Sequence, residues 1–227
     1  MIKPYYGHLL PRMSDVNNRI ENQIEGWREL LGEPVPAPGK IDGHRLLGAQ
    51  VGYHFGENYF LTLNVSHYEE KVQSEFTPAP DRFYFERQVE FYDVTANLQY
   101  YFDYDSASRL NKYLGIGVGI LFAKARSNTQ STFISNPKNG TLFPPSDTRG
   151  DFSGNSLLAA VSAGLDVRLF NPFSLWAEAG YQFANIGHLE GTVNTFDGRA
   201  ITGFTTNTSF DFSGFYFRAG LGIGLSF

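Results

Sequence analysis

Residues that could support acyl transfer lie near the ends of two apolar stretches of the chain. They are Ser66 and His67 with Glu69 and Glu70, and His188 with Glu190. Acyl transfer uses a serine nucleophile, a histidine base and a carboxylate that orients the base. Such groups act only when their side chains converge in space, and sequence proximity does not establish that. We therefore predict no catalytic residues and a non-enzymatic protein.

Metal and cofactor chemistry has weaker support. His8 and His44 would approach each other if the first two strands pair, but two imidazoles without a carboxylate or a third ligand make a poor metal site. The chain has no cysteine, which excludes thiolate metal sites and disulfides. It also contains no phosphate-binding loop, metalloprotease motif or dinucleotide fingerprint. We predict neither a metal ion nor another cofactor.

The composition argues against two further classes of protein. The 227 residues carry a net charge of -5, whereas a nucleic-acid-binding protein would show a basic patch. No apolar run reaches the roughly 18 residues that a transmembrane helix needs. We therefore expect no nucleic-acid partner and no helical membrane span.

The main pattern in the chain is strict alternation of apolar residues with small or polar ones. In residues 215–227, FYFRAGLGIGLSF, one set is entirely apolar and the other consists of Tyr, Arg, Gly and Ser. This alternation predicts a β-strand with two very different environments. The same pattern recurs in residues 44–55, 58–68, 92–102, 112–124, 155–170 and 174–183.

The connections between these strands alternate in length. Residues 56–58, 103–111 and 171–173 are compact, whereas the connections near 70–85, 126–152 and 187–209 are long and polar. Short turns at one end and long loops at the other are typical of outer-membrane barrels. Successive strands alternate in direction, and the last strand must run toward the periplasm. The strand at 44–55 then runs in the same direction, so an outward-running strand must precede it, and residues 2–10 are the only candidate. We predict an all-β fold, a single domain over residues 1–227: an eight-stranded antiparallel up-and-down transmembrane β-barrel.

The first external loop, at about residues 13–40, is predicted to contain one amphipathic helix. Ser14 or Asp15 can cap its start, and Gly32 is placed to end it. Its apolar positions at helical spacing are Val16, Ile20, Ile24, Trp27 and Leu31. The helix is expected either to cover the barrel mouth or to lie on the outer leaflet.

The apolar set of each strand is predicted to face lipid. The polar set is mostly Gly, Ser, Thr, Asn and Gln, and it lacks the density of Lys and Glu that solvated strands carry. Small residues suit a narrow lumen. Aromatic residues flank every short turn, as in the girdle of a membrane barrel. They are Tyr53, Phe55, Tyr59, Tyr100, Tyr101, Phe102, Phe170 and Phe173.

The alternation along each strand also predicts which residues face the lumen, and these form a polar network inside the barrel. Its members are Asp93, Asp166, Arg168, Glu178, Gln182 and Arg218, with His54 and Tyr216 on the same face. Asp166, Arg168 and Glu178 should lie near the short turns, and Arg218 and Asp93 further from them. Opposite charges are expected to pair, because an unpaired enclosed charge is costly. We interpret the network as a plug; the alternative is an ion path.

The chain resembles the small outer-membrane β-barrels of Gram-negative bacteria, of the outer-membrane protein A and X type, over nearly its whole length. The repeated strands carry the resemblance, together with the terminal GFYFRAGLGIGLSF. That stretch is similar to the C-terminal aromatic signal read by the barrel-assembly machinery, with Phe215, Phe217 and Phe227 as the signal residues. The resemblance implies the outer membrane, periplasmic termini, and contacts with outer-membrane lipid and that machinery. It implies no substrate.

The predicted function is that of a non-enzymatic scaffold with a plugged lumen. Its external loops, such as residues 126–155, or its helix would bind a ligand or an envelope protein partner, since loops on a rigid scaffold often carry recognition. One alternative is a lipid A-modifying enzyme that uses His67 or His188, although neither matches the His-x-Ser-Asn motif of the deacylases with this fold. The other alternative is a narrow channel for small solutes.

Overall fold

The computed structural model describes residues 1–32, 34–77, 82–102, 109–132, 134–135, 142–143, 145–195 and 197–224. The elements are β1 (Ile2–Pro11), α1 (Ser14–Leu31), β2 (His44–Phe55), β3 (Tyr59–Phe76), β4 (Phe83–Phe102), β5 (Leu110–Ser131), β6 (Ile134–Ser135), β7 (Leu142–Phe143), β8 (Ser146–Phe170), β9 (Phe173–Phe183), β10 (Asn185–Ile186), β11 (Glu190–Asn194), β12 (Ala200–Thr205), β13 (Phe210–Asp211) and β14 (Gly214–Ile223). No helix among these residues is long and apolar enough to cross a membrane.

Eight of these strands close into an antiparallel barrel. The order around the barrel is β1, β2, β3, β4, β5, β8, β9 and β14, and β14 pairs with β1 to close it. This confirms the predicted fold class. It also confirms the eighth strand, because residues 2–9 of β1 pair with residues 44–51 of β2.

Side chains on the strands alternate between a buried inner face and an exposed outer face. The outer face is apolar: Val118 is 68% exposed and Leu157 is 80% exposed. The inner face includes buried polar residues such as Asn64, Asp93 and Glu178. The prediction that the apolar set faces outward is therefore confirmed.

Two of the predicted long loops are largely strand. β3 continues to Phe76 and β4 begins at Phe83, while β5 continues to Ser131 and β8 begins at Ser146. These segments pair residue by residue, so their backbone groups are satisfied by a sheet that extends the barrel wall. Within the third predicted loop, β11 pairs with β8 and with β12. Sequence composition suggested loops because these segments are polar on their outer face.

The chemistry of the outer face inverts partway along the strands, and the inner face becomes mixed. On β3 the outward residues change from Leu61, Leu63 and Val65 to Glu69, Lys71 and Gln73. The inward residues change from Thr62, Asn64 and Ser66 to Tyr68, Glu70, Val72 and Ser74, so that apolar residues alternate with polar ones. We call the part with the apolar exterior the membrane band. The part beyond it, comprising α1, residues 35–41 and the strand segments 68–76, 83–91, 123–131 and 146–155, is the loop-end extension.

Helix α1 fills the loop-end extension and covers the barrel mouth. Val16, Ile20 and Ile24 are buried in its core, and the Trp27 and Phe83 ring centroids lie 4.6 Å apart. The prediction of an amphipathic helix over this segment is thus confirmed. Its apolar face is used internally and does not lie on a membrane surface.

The ends of α1 match the sequence analysis only in part. Gly32 ends the helix in the left-handed region, at φ 69°, and its N–H donates to the Arg28 carbonyl at 2.9 Å. The predicted cap by Ser14 or Asp15 is wrong: Met13 is the N-cap, and no side chain caps the helix. Asp15 still lies in the first turn, where the helix dipole favours a negative charge. The Leu31 side chain lies outside the described part of the chain.

An apolar layer separates the polar lumen from the loop-end extension. Leu46, Tyr68 and Phe91 face inward at successive paired positions, and all three are buried. The Phe91 ring also contacts Phe212, with centroids 5.2 Å apart. These residues place mainly apolar side chains between the two regions, and the Tyr68 hydroxyl donates to Glu70.

Candidate functional site

The centre of the lumen is an ion pair between Arg218 and Glu178. The two residues are directly opposed on β14 and β9, and Arg218 Nη2 lies 2.6 Å from a Glu178 carboxylate oxygen. Arg218 Nε donates a second hydrogen bond to the same oxygen at 2.9 Å. The expectation that Arg218 lies further from the short turns than Glu178 is therefore wrong. The sequence did not reveal the register between β9 and β14, which places Arg218 directly opposite Glu178.

Two tyrosine hydroxyls donate further hydrogen bonds to the Glu178 carboxylate. Tyr113 donates to Oε2 at 2.9 Å, and Tyr216 donates to Oε1 at 3.0 Å. Both rings occupy space left by glycine: a Cβ on Gly164 would approach Tyr113 to 2.2 Å, and one on Gly180 would approach Tyr216 to 2.5 Å. Inward glycines therefore leave the space that large tyrosine rings occupy in this narrow barrel.

A second branch of the network crosses the lumen from Arg218. Its Nη1 donates to Asn64 Oδ1 at 3.0 Å, and Tyr5 OH donates to the same oxygen at 2.7 Å. Asp93 accepts hydrogen bonds from Ser66 and Thr95. The branch therefore connects β14 to β1, β3 and β4, and the buried carboxylate of Asp93 has polar partners.

A separate ion pair lies nearer the short turns. Lys3 Nζ lies 2.7 Å from Asp166 Oδ2 and 5.4 Å from the Trp176 ring centroid. Sequence analysis did not include Lys3 because alternation in residues 2–10 was ambiguous around Pro4. The parity of the strand would have identified it, since Lys3 shares a face with Tyr5.

The other predicted lumen residues lie toward the two ends of the barrel. Arg168 lines a vestibule of about 400 Å³ beside the short turns, together with Asp166. His54 lies near the same end, with its ring 4.4 Å from that of Phe60. Gln182 donates to the Phe212 carbonyl at 2.9 Å, beneath the apolar layer. Tyr101, which was assigned to the outer aromatic girdle, is instead buried inside the barrel against Tyr113.

Little space remains beside the network. The cavity lined by Asp93, Asn64 and Arg218 measures about 20 Å³, close to the minimum of roughly 10–15 Å³ that one water needs. Beside Arg218 and Asp93, the described residues therefore leave room for about one water. The charged groups of this network are bonded to one another and to neighbouring polar side chains, and little space remains beside them for a solute.

Ser66 and His67 do not form a catalytic pair. Ser66 faces the lumen and donates to Asp93, whereas His67 faces outward, 3.3 Å from Glu90. Consecutive residues of a strand point to opposite faces, so Ser66 cannot use His67 as its base. The His188 ring nitrogen Nδ1 lies 2.9 Å from the Thr206 carbonyl.

No group of three or more potential metal ligands occurs among the described residues. His8 and His44 are both exposed on the neighbouring strands β1 and β2. Of the C-terminal aromatic signal, Phe215 and Phe217 face outward and are exposed. Phe227 lies outside the described residues, so the assembly signal stays a prediction.

The loop-end extension contains a partly open pocket with three arginines in its wall, Arg19, Arg87 and Arg126, of which Arg126 pairs with Asp151 at 3.4 Å. A cavity of about 220 Å³ lies between α1, β4, β5 and the segment 204–210. Burial, and secondarily the charge of Arg19, lowers the pKa of Arg87 to about 10. The Arg87 guanidinium therefore remains positive at neutral pH. Sequence analysis did not identify this site because its members lie far apart in the chain.

The fold and the lumen define the class of protein as an eight-stranded transmembrane β-barrel. In the comparison with solved structures, the chain is similar to the outer membrane protein OprG of Pseudomonas aeruginosa, with a TM-score of 0.53 and 15% identity over 98% of this chain and 93% of that chain. A weaker likeness is to Neisserial surface protein A, with a TM-score of 0.43 and 14% identity over 99% and 96% of the chains. No family model and no curated protein sequence matches the chain.

Proposed function

We propose that the protein is a bacterial outer-membrane barrel that binds a ligand at its loop end and does not conduct through its lumen. The observation that carries this proposal is the contrast between two interiors. The Arg218–Glu178 network crosses the middle of the lumen and leaves a cavity of about 20 Å³ beside it, whereas the vestibule of about 400 Å³ lies on the short-turn side of the network. The loop-end extension contains a partly open pocket of about 220 Å³.

Outer-membrane placement is supported by the apolar exterior and by the fold shared with OprG. In the proposed orientation the termini and short turns face the periplasm, and the loop-end extension faces outward. Assembly would use the barrel-assembly machinery, and the outer face would contact outer-membrane lipid. A protein partner would meet the polar surface of the loop-end extension, because the apolar face of α1 is already buried.

The orientation is testable because the chain contains no cysteine. Gln73→Cys places a thiol on the outer surface of the loop-end extension, and Asn58→Cys places one in a short turn. A membrane-impermeant maleimide should label the first variant in intact cells and label the second only after lysis. Labelling in the opposite sense would overturn the orientation.

The closed lumen is tested by recording from the refolded protein in planar bilayers. The wild type, Arg218→Ala and Arg168→Ala should all show no steady conductance, because the apolar layer lies above both substituted residues. Heat-modified gel mobility establishes that each sample is folded, and a porin added at the end establishes that the bilayer records channels. Steady conductance that changes in the variants would contradict the closed lumen and favour a channel for small solutes.

The enzymatic alternative is addressed by comparing lipid A from cells with and without the protein. We expect identical mass spectra, since Ser66 and His67 face opposite sides of β3. A modified lipid A that disappears in His67→Ala would overturn the proposal of a binding protein.

A further inference from the structure

The cavity in the loop-end extension has walls of two kinds. Val89, Phe152 and Phe210 supply apolar surface, whereas Arg19, Arg87 and Arg126 supply positive charge, and Arg126 is paired with Asp151. Arg19 and Arg87 come from α1 and β4, and the apolar residues come from β4, β8 and β13. A concave pocket with mostly apolar walls and a few polar groups is the usual form of a small-molecule site.

Arg87 is held in place by neutral groups. Its Nη2 donates to Gln23 Oε1 at 2.9 Å, its Nη1 donates to the Glu86 carbonyl at 3.0 Å, and its guanidinium lies 4.4 Å from the Phe85 ring centroid. The Glu86 carboxylate is engaged elsewhere, 2.5 Å from Lys71 Nζ on the outer face. Arg87 is therefore fixed in position without being neutralised.

Arg19 lies on the other side of the cavity and is also bound to a neutral partner. Its Nη1 donates to Thr208 Oγ1 at 2.9 Å. Among the described residues, neither Arg19 nor Arg87 forms an ion pair with a carboxylate. Arg87 is partly buried without a carboxylate partner, and an anion in the pocket would offset this charge, because partly buried charge is costly when it is unpaired.

We propose that this cavity binds a small amphiphilic carboxylate. The carboxylate would accept hydrogen bonds from Arg19 and Arg87, and the apolar body would lie against Val89, Phe152 and Phe210. The volume suits such a ligand, since a dry cavity of about 150 Å³ accommodates benzene and this one measures about 220 Å³. This inference deepens the loop-end binding proposed above and rests on it.

The test uses benzoate as the probe and benzamide as its neutral isostere. Each is titrated into the refolded full-length protein in zwitterionic micelles, and binding is measured by calorimetry and by amide chemical shifts. We expect saturable binding of benzoate and at least about tenfold weaker binding of benzamide, since a hydrogen bond to a charged group contributes more than a neutral one. Equal affinities for the two probes, or no saturable binding of benzoate, would overturn the proposal.

Variants locate the binding site. Arg87→Gln and Arg19→Gln should each weaken benzoate binding by about tenfold and leave benzamide binding unchanged. The matched control is Arg199→Gln, because Arg199 is exposed and paired with Asp197 at 3.0 Å; this variant should bind benzoate as the wild type does. Arg19 is exposed, so Arg19→Gln decides the question if Arg87→Gln does not fold.

Two further outcomes separate this inference from its alternatives. Inorganic phosphate that binds as tightly as benzoate would replace the amphiphile with a simple anion site. Benzoate binding that persists unchanged in both arginine variants would place the site elsewhere. The bilayer recording depends on the lumen and not on this cavity, so failure here leaves the closed-lumen claim standing, and the reverse is also true.

Discussion

The membrane band and the loop-end extension are built from the same strands, with opposite chemistry on their outer faces. In the band, Leu63 faces outward and Asn64 faces inward; in the extension, Lys71 faces outward and Val72 faces inward. The pleat fixes the alternation in both regions, and the surrounding medium decides which set is apolar. The comparison shows that the outer face of one strand can contact lipid along one part and water along the next without a change of register.

The two interiors are also held together differently. The lumen uses hydrogen bonds and ion pairs, of which Arg218–Glu178 is the most buried. The loop-end extension uses apolar packing of α1 against the sheet, with Ile24 at its core. Substitutions should therefore act through unpaired charge in one region and through lost packing in the other.

The largest effect is expected in the lumen. Glu178→Ala leaves Arg218 buried without its partner, and this should lower the free energy of unfolding by about 3–5 kcal/mol. Urea unfolding of the protein in lipid vesicles, followed by gel mobility, measures the change.

The matched control for the lumen removes both charges. The double variant Glu178→Leu/Arg218→Met should be considerably less destabilised than Glu178→Ala, because no charge remains unpaired. A double variant as unstable as the single one would show that shape, and not charge, decides stability there.

In the loop-end extension, Ile24→Ala should cost about 2–5 kcal/mol of local stability. Ile24 is 1% exposed, so the substitution leaves a cavity beneath α1. Hydrogen exchange should accelerate in α1 and residues 35–41 while the membrane band stays protected. Glu25→Ala, at an exposed position of the same helix, should leave exchange unchanged. Loss of protection throughout the barrel would show that the two regions unfold together.

A charge on the outer face distinguishes the regions on a single strand. Leu63→Lys should destabilise the protein by about 2–4 kcal/mol because it places an ammonium in the lipid. Gln73→Lys, ten positions further along β3 and also outward, should change stability by less than about 0.5 kcal/mol. Equal effects in vesicle unfolding would contradict the change of medium along β3.

The smallest effects concern the backbone of α1. Gly32→Ala should cost about 1 kcal/mol, because Gly32 has a positive φ that alanine adopts with strain. Gly26→Ala should stabilise the helix by about 1 kcal/mol, since a Cβ there meets nothing within 4 Å. Hydrogen exchange of the α1 amides should therefore change in opposite directions in the two variants.

The barrel was predictable from sequence because alternation reports the two faces of each strand directly. The apolar positions that include Val118 and Leu157 needed no knowledge of partners. The first strand could be predicted from the alternating directions of the strands alone, and the helix from the spacing of Val16, Ile20 and Ile24. Patterns of period 2 and 3.6 are local properties of the chain.

The site was less predictable because it depends on register and on contacts between distant residues. Lys3 and Asp166 are separated by 163 positions, and no local pattern connects them. The strand segments of the loop-end extension were assigned largely to loops because stretches such as 70–85 have mixed composition. The inward apolar residues that begin there, Phe83, Phe85 and Val89, become a core only when α1 is placed over them.

The most direct test of the inversion between the two regions is a spin-label scan of the outer face of β3. Single cysteines at positions 61, 63, 65, 69, 71, 73 and 75 carry a nitroxide, and collision with oxygen is compared with collision with a water-soluble nickel chelate. The structure predicts access to oxygen and not to the chelate at positions 61–65, and access to the chelate at positions 69–75. Chelate access at position 63, or lipid-like accessibility at position 73, would contradict the account.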